Sequence, residues 1–146
     1  MERTERYGAE TSGGRHGRTD QQRAGDAAEA LVAQLLAGRG WQILARNVHF
    51  GRSELDIVAI DPDPTPRLVV VEVRWRRSKG FGLAEETFDH RKRAHLKAGV
   101  ARLLEAGQLP GGEQLPHLPI GLDLAIVEPG AGGRPTVRLY RNALAG

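Results

Sequence analysis

Apolar residues recur at helical spacing in two segments of this chain and at strand spacing in five others. In residues 20–38 they fall three or four positions apart, at Ala28, Leu31, Val32, Leu35 and Leu36. This spacing predicts an amphipathic helix, which glycines at positions 38 and 40 would end. Residues 87–106 repeat the pattern and predict a second helix.

Short runs of apolar and β-branched residues predict five strands, over residues 41–50, 54–60, 68–75, 120–127 and 136–141. Only a tight turn and a proline-rich link separate the first three, so we expect them to form an antiparallel meander. The resulting order is α-β-β-β-α-β-β. Residues 1–22 offer little to bury and are expected to form a disordered tail, which leaves one domain over residues 23–142.

The amino-acid composition narrows the cellular compartment and the kinds of cross-link and metal site that are possible. The 146 residues include no cysteine, which excludes disulfides and thiolate metal sites and fits a reducing cytoplasm. No apolar run approaches the roughly 20 residues of a membrane span, and the first residues lack the apolar stretch of a signal peptide. We therefore expect a cytoplasmic protein that does not enter a membrane.

Basic residues are concentrated in the middle of the chain. Residues 67–97 hold nine lysines and arginines against four acidic residues, so the net charge of this segment is +5. The net charge of the whole chain is +3, so the remaining residues together carry −2. Such a concentration indicates phosphate binding. The alternative is a solvated, arginine-rich surface, and charge alone does not separate the two.

The strand over residues 68–75, LVVVEVRW, places two charged residues in an otherwise apolar run. Because side chains alternate across a strand, Glu72 and Arg74 share a face, as do Glu54 and Asp56 on the preceding strand. If the two strands pair, up to three carboxylates and one arginine meet in a small area. Oxygen ligands without cysteine or clustered histidine suit Mg²⁺ or Mn²⁺ rather than zinc.

Each of these features also has an ordinary structural explanation. Glu72 and Arg74 can form an ion pair on a sheet face, and acids near a helix start, such as Asp26 and Glu29, favour the helix dipole. Arg91 and His95, one helical turn apart, are typical of a solvated face. Trp75 could stack on a base, although its position in the strand favours the core.

Several motifs, taken in order, resemble the YraN-like family of uncharacterised bacterial proteins and, more widely, the PD-(D/E)XK nuclease superfamily. The matching segments are GDAAEA at 25–30, GWQILARN at 40–47, SELDIV at 53–58, VVEVRWR at 70–76, FG at 81–82, RKR at 91–93 and LDLAI at 122–126. Together they cover roughly residues 18 to 142. The resemblance implies a restriction-endonuclease-like α/β fold, with a central mixed sheet of about five strands flanked by helices.

The resemblance also assigns roles to matching positions. Asp56 and Glu72 would be ligands of Mg²⁺ or Mn²⁺, with the carbonyl oxygen of Val73 as a third. Asp26 would complete the catalytic site, as the first-helix acid does in the similar archaeal Holliday-junction resolvases. Glu54 would be a further metal ligand or, like Glu29, would contact these ligands without touching the metal. Phosphates of nucleic acid, most naturally DNA, would contact a basic set formed by Arg76, Arg77, Lys79, Arg91, Lys92 and Arg93.

Three positions depart from the family pattern. Asp26 replaces a glutamate, Ser53 replaces a turn glycine, and Arg74 stands where the motif has a catalytic lysine. An arginine does not release its proton at any relevant pH, so Arg74 can stabilise negative charge but cannot act as a base.

The expected function is therefore a DNA-binding protein of nuclease fold with Mg²⁺-dependent cleavage of branched or structured DNA. The alternatives are a non-catalytic nucleic-acid-binding module and a scaffold for a protein partner. Resolvases of similar fold act as dimers, which suggests a homodimer, although the sequence carries no interface signature.

Overall fold

The computed structural model describes residues 19–76 and 90–143 and contains two helices and five strands in the predicted order. The elements are α1 Asp20–Gly38, β1 Gln42–Phe50, β2 Ser53–Asp61, β3 Arg67–Trp75, α2 His90–Ala106, β4 Ile120–Glu128 and β5 Thr136–Tyr140. The predicted α/β class and element order are confirmed. Residues 87–89 of the predicted second helix lie outside the described residues.

The five strands form one mixed sheet in the order β1-β2-β3-β4-β5. Neighbouring strands are antiparallel except for β3 and β4, which run parallel and are connected through α2. The predicted meander of the first three strands is therefore confirmed. β3 occupies the centre, and Leu68, Val69, Val70 and Val71 are almost completely buried, as expected for a strand covered on both faces.

The two helices cover opposite faces of the sheet. Val32 and Leu36 of α1 pack against one face with Val71, whereas Leu103 of α2 packs against the other face with Val70. Successive β3 residues face the two cores alternately, so the apolar run of β3 packs against both helices. Within the described stretches, no helix combines the length and apolar character that a membrane span requires.

The start of α1 is fixed by its own sequence. The Thr19 side chain accepts a hydrogen bond from the Gln22 N–H at 3.0 Å, and the Gln22 side chain accepts one from the Thr19 N–H at 2.8 Å. This reciprocal arrangement satisfies two otherwise unpaired N–H groups of the first turn. Of the predicted tail, residues 1–18 lie outside the described residues, and α1 takes in residues 20–22.

Candidate functional site

The site begins where β2 and β3 separate. Paired residues of these strands extend from Asp61 and Arg67 to Ile57 and Val71. Beyond that point the Asp56 carboxylate accepts a hydrogen bond from the backbone N–H of Val73 at 2.8 Å. The side chain thus provides the acceptor that a neighbouring strand would otherwise supply, and it is held firmly at the end of the paired region.

The carboxyl groups of Asp56 and Glu72 converge, close enough for a hydrogen bond when one of them is protonated. Burial raises the pKa of Glu72 to about 9, and the charge of Asp56 adds to the effect, while Arg74 and Lys92 oppose it. Burial likewise raises the pKa of Asp56, against the N–H of Val73 and the hydrogen bond with Glu72. At neutral pH the pair therefore retains one proton between its two carboxyl groups.

Arg74 is paired with Glu72 on the adjoining surface of β3. Its Nη2 atom lies 3.4 Å from Oε2 of Glu72, and the two side chains are 25% and 15% exposed. The contact between Glu72 and Arg74 that the ordinary structural explanation predicts is thus present in the fold. The same contact places a permanent cation beside the shared carboxyl pair.

An acidic cleft of about 790 Å³ opens on the side of α1. Asp56 and Glu54 contribute to it from β2, and Asp26 contributes from α1. Glu29 is buried in its wall, where Nε of Arg46 donates a hydrogen bond to Oε1 at 3.0 Å. The full lining is Gln22, Gly25, Asp26, Glu29, Arg46, Asn47, His49, Glu54, Asp56 and Val73.

The acids of this cleft influence one another. Burial raises the pKa of Glu29, the Arg46 guanidinium lowers it, and the charges of Asp56 and Asp26 raise it further. Glu29 therefore lies within electrostatic range of both Asp56 and Asp26, and the catalytic role of Asp26 stays a prediction. Glu54 is half-exposed, and its Oε2 lies 3.5 Å from Nε2 of His49.

A basic cleft of about 400 Å³ opens on the side of α2. Glu72 and Arg74 form part of its floor, and α2 contributes Arg91, Lys92 and His95. The full lining is Arg52, Ser53, Glu54, Glu72, Arg74, Arg91, Lys92, His95 and Leu96. Cations therefore surround the outer side of the carboxyl pair, which is the charge pattern expected where a phosphate approaches a metal site.

Close packing holds α2 over this cleft. A Cβ added to Gly99 would lie 2.9 Å from the Cβ of Ser53 and 3.1 Å from Cδ2 of Leu55, so the missing side chain lets α2 approach β2. The Ser53 hydroxyl also donates a hydrogen bond to the carbonyl oxygen of His95 at 3.5 Å. Both contacts fix the turn of α2 that carries His95 and Lys92.

The converged pair fits a hydrated divalent ion. Two carboxylates are the usual protein contribution to a Mg²⁺ site, in which water and substrate oxygens complete the coordination. A cation bound by Asp56 and Glu72 would take the place of the proton that the pair holds. Across residues 19–76 and 90–143, no group of three or more histidine, aspartate or glutamate side chains is arranged to hold a metal. The role of the Val73 carbonyl stays a prediction.

The remaining predicted phosphate contacts divide into three groups. Arg91 and Lys92 are exposed in the basic cleft, whereas Arg93 is half-buried. Arg76 is buried, with Nη1 4.0 Å from Oε2 of Glu128, which disfavours it as a phosphate contact because the ion pair occupies it inside the fold. The other two, Arg77 and Lys79, lie outside the described residues.

Sequence reasoning overlooked several residues of the two clefts. Arg52 and His95 line the basic cleft, although the spacing of Arg91 and His95 had indicated only a solvated face. Asn47, in the acidic cleft, adopts a φ of 53° that is rare outside glycine. The SELD segment next to the turn was a usable signal for Arg52. Asn47 ends the GWQILARN segment of the family resemblance, but no role was assigned to it.

Comparison with known proteins relates most of the chain to one group. A family model described as "Uncharacterised protein family UPF0102" matches residues 28–125. A UPF0102 protein of Symbiobacterium thermophilum is 37% identical over 121 residues, which is 83% of this chain and 95% of that protein. A UPF0102 protein of Dehalococcoides mccartyi is 32% identical over 125 residues, covering 86% and 95% of the two chains. Another, from Roseiflexus castenholzii, is 44% identical over 89 residues, covering 60% and 68%.

Proposed function

The chain belongs to the uncharacterised protein family UPF0102, and from this premise we propose that it is a divalent-metal-dependent endonuclease that acts on branched or otherwise structured DNA. One observation carries the proposal. The hydrogen-bonded carboxyls of Asp56 and Glu72 lie between an acidic and a basic cleft, at the point where two central strands part. This arrangement suits the joint binding of a hard cation and a phosphodiester.

The basic cleft would receive the sugar–phosphate backbone. Arg52, Arg91 and Lys92 offer guanidinium and ammonium donors to non-bridging oxygens without reading base sequence. A protein that binds DNA through such contacts recognises shape more than sequence. This property suits a branched substrate.

Asp56 and Glu72 would hold Mg²⁺ or Mn²⁺, which when bound lowers the pKa of a water molecule and polarises the phosphorus. The N–H of Val73 keeps Asp56 oriented, at 2.8 Å. Arg74, 3.4 Å from Glu72, would stabilise the charge that builds on the phosphate but would not remove a proton. Asp26, on the acidic side, would contribute a further carboxylate facing Asp56.

Cleavage in Mg²⁺ or Mn²⁺ should depend on Asp56. We expect Asp56→Asn to reduce cleavage of four-way or flapped DNA by at least roughly 100-fold, because the amide carries no charge for the metal. The measurement is product formation on end-labelled DNA in each metal. Asp63→Asn is the matched control, since Asp63 is exposed beyond the opposite end of β2. Equal activity of Asp56→Asn and wild type would contradict the proposed catalytic centre.

The second candidate function is a non-catalytic DNA-binding module. The contact between Arg74 and Glu72 favours it, because the guanidinium partly neutralises the acid that a metal requires. In that case wild type binds DNA without cutting it, and Arg74→Lys creates metal-dependent cleavage. If neither protein cuts any DNA form, the enzymatic proposal should be abandoned.

DNA binding itself should depend on the basic cleft. We expect Arg91→Glu combined with Lys92→Glu to weaken binding roughly tenfold or more at moderate salt, and to reduce the salt slope by about two, because two phosphate contacts are lost. Fluorescence anisotropy with labelled junction DNA over a range of salt concentrations measures both effects. Arg39→Glu combined with Lys97→Glu changes the net charge equally at two other exposed positions. If both double variants weaken binding to the same extent, net charge and not the cleft determines affinity.

A further inference from the structure

The two tryptophans of the chain differ sharply in environment. Trp41 is 8% exposed, whereas Trp75, the last residue of β3, is 39% exposed. The expectation that Trp75 belongs to the core is therefore wrong in part. Its backbone pairs with Val127 of β4, yet much of its indole ring reaches solvent.

Trp75 forms one wall of an apolar hollow of about 170 Å³. Val127 and Pro135 form other walls, and the remainder comes from three alanines and a leucine of α1, at positions 24, 27, 28 and 31. An apolar cavity of about 150 Å³ admits benzene. The hollow thus has room for one flat ring but not for a helix or a strand of another protein.

The hollow adjoins the proposed catalytic centre. Val73, two residues before Trp75, lines the acidic cleft, and Arg74 lines the basic cleft. Gly25, Asp26 and Glu29 line the acidic cleft from the same turns of α1 whose other residues form the hollow. A nucleotide strand lying over the carboxyl pair therefore has a base position within reach of Trp75.

The surroundings favour a nucleotide over an uncharged apolar ligand. Arg134 is exposed and precedes Pro135 at the edge of the hollow, and Arg74 follows Val73 on the strand that leads to it. An aromatic wall next to basic residues in the chain suits a base attached to a phosphate backbone.

We propose that the Trp75 hollow binds one unpaired base next to the cleaved phosphodiester, an inference that rests on the proposed function. Bases inside a duplex are already stacked and do not present a face to the indole, so only a base freed at a junction, flap or single strand enters. Stacking on an aromatic side chain does not depend on base identity. The hollow thereby selects DNA structure without selecting sequence.

Trp75 fluorescence tests the proposal directly. In Trp41→Phe, Trp75 is the only tryptophan left, and its emission should be quenched by flapped or single-stranded DNA. The same oligonucleotide with abasic positions should bind by anisotropy but quench much less. Trp75→Leu, which keeps an apolar side chain, should lose about tenfold in affinity for DNA with unpaired bases and change little for plain duplex.

The outcomes separate this inference from the proposed function. If anisotropy reports DNA binding while Trp75 emission is unchanged and Trp75→Leu binds like wild type, base stacking is overturned and DNA binding stands. If no DNA binds, both proposals fail. If Trp75 emission changes with protein concentration in the absence of DNA, a second copy fills the hollow and the base proposal is again overturned. Circular dichroism of each variant checks that it folds.

Discussion

Glu72→Gln is expected to raise the free energy of unfolding of the metal-free protein by roughly 2–3 kcal/mol at pH 7 while abolishing cleavage. The raised pKa of Glu72, about 9, means that folding at pH 7 requires proton uptake by a carboxyl that is ionised in the unfolded chain. Each of the 2.5 pKa units between 4.5 and 7 costs about 1.4 kcal/mol, so roughly 3.5 kcal/mol is the upper bound. The amide supplies the donor to Asp56 without this cost.

The pH dependence has a defined sign. An acid whose pKa is higher in the folded state contributes its full stability below the unfolded value of 4.5, and the contribution is lost as the pH rises towards about 9. Urea unfolding at a series of pH values should therefore show the advantage of Glu72→Gln growing from pH 5 to pH 8. Glu105→Gln, at an exposed position of α2, should remain within about 0.5 kcal/mol of wild type.

The opposite result is equally informative. If Glu72→Gln is less stable than wild type at pH 7, Glu72 is ionised and its pair with Arg74 outweighs the hydrogen bond to Asp56. Added Mn²⁺ provides a second check, because it should stabilise wild type and leave Glu72→Gln unchanged. Stabilisation of both proteins by the ion would place the metal elsewhere.

The sequence identifies the acid pair because two strong patterns coincide there. The run of Leu68 to Val71 predicts a central strand, and the short link to β2 predicts antiparallel pairing, which brings the acids of β2 near Glu72. The choice of Asp56 as the partner of Glu72 came from the family resemblance. Both strands and their pairing are present. Pattern and connection length suffice to predict this strand and its pairing, because a continuous apolar run is typical of a central strand covered on both faces.

The strict alternation of side chains between the two faces of a strand does not describe the arrangement around Asp56 and Glu72. It predicts Asp56 and Arg74 on one face, yet Asp56 lines the acidic cleft and Arg74 the basic one. Leu55 and Val58 pack in the same core although they are three residues apart, so alternation breaks within this part of β2. On the neighbouring strand, Asn47 has a φ of 53°. Such local irregularities leave no periodic signal in the sequence.

Contacts between segments that are distant in the sequence could not be predicted from local patterns either. Arg76 belongs to a basic run and was expected to meet phosphate, but Glu128, 52 residues later, pairs with it inside the fold. Only the parallel alignment of β3 with β4 brings these residues together. Counting charges along the sequence treats every basic residue as exposed. A basic residue that pairs with a buried acid does not meet that condition.

Arg141→Ala is expected to lower the free energy of unfolding by about 3 kcal/mol. The Arg141 guanidinium bridges two carboxylates, contacting Asp61 and lying with Nε 2.9 Å from Oδ2 of Asp123. Asp123 is completely buried and Asp61 is 2% exposed. Breaking a buried ion pair by removing one partner costs roughly 3–5 kcal/mol. Two features favour the lower figure: Arg141 is half-exposed, and Arg67 still pairs with Asp61 and acts on Asp123. Chemical denaturation measures the loss.

A double variant tests whether the loss comes from the buried charge. Burial raises the pKa of Asp123, while the Asn142 N–H and Arg141 lower it, so without Arg141 this carboxyl should protonate more readily. The deficit of Arg141→Ala should then shrink as the pH falls. Adding Asp123→Asn should recover part of it at pH 7, because the amide needs no counter-charge and keeps an oxygen for the Asn142 N–H, 2.9 Å away in wild type. Purely additive losses in the double variant would instead attribute the effect to the packing of Arg141 over Trp41, where the guanidinium carbon lies 5.5 Å from the ring centre.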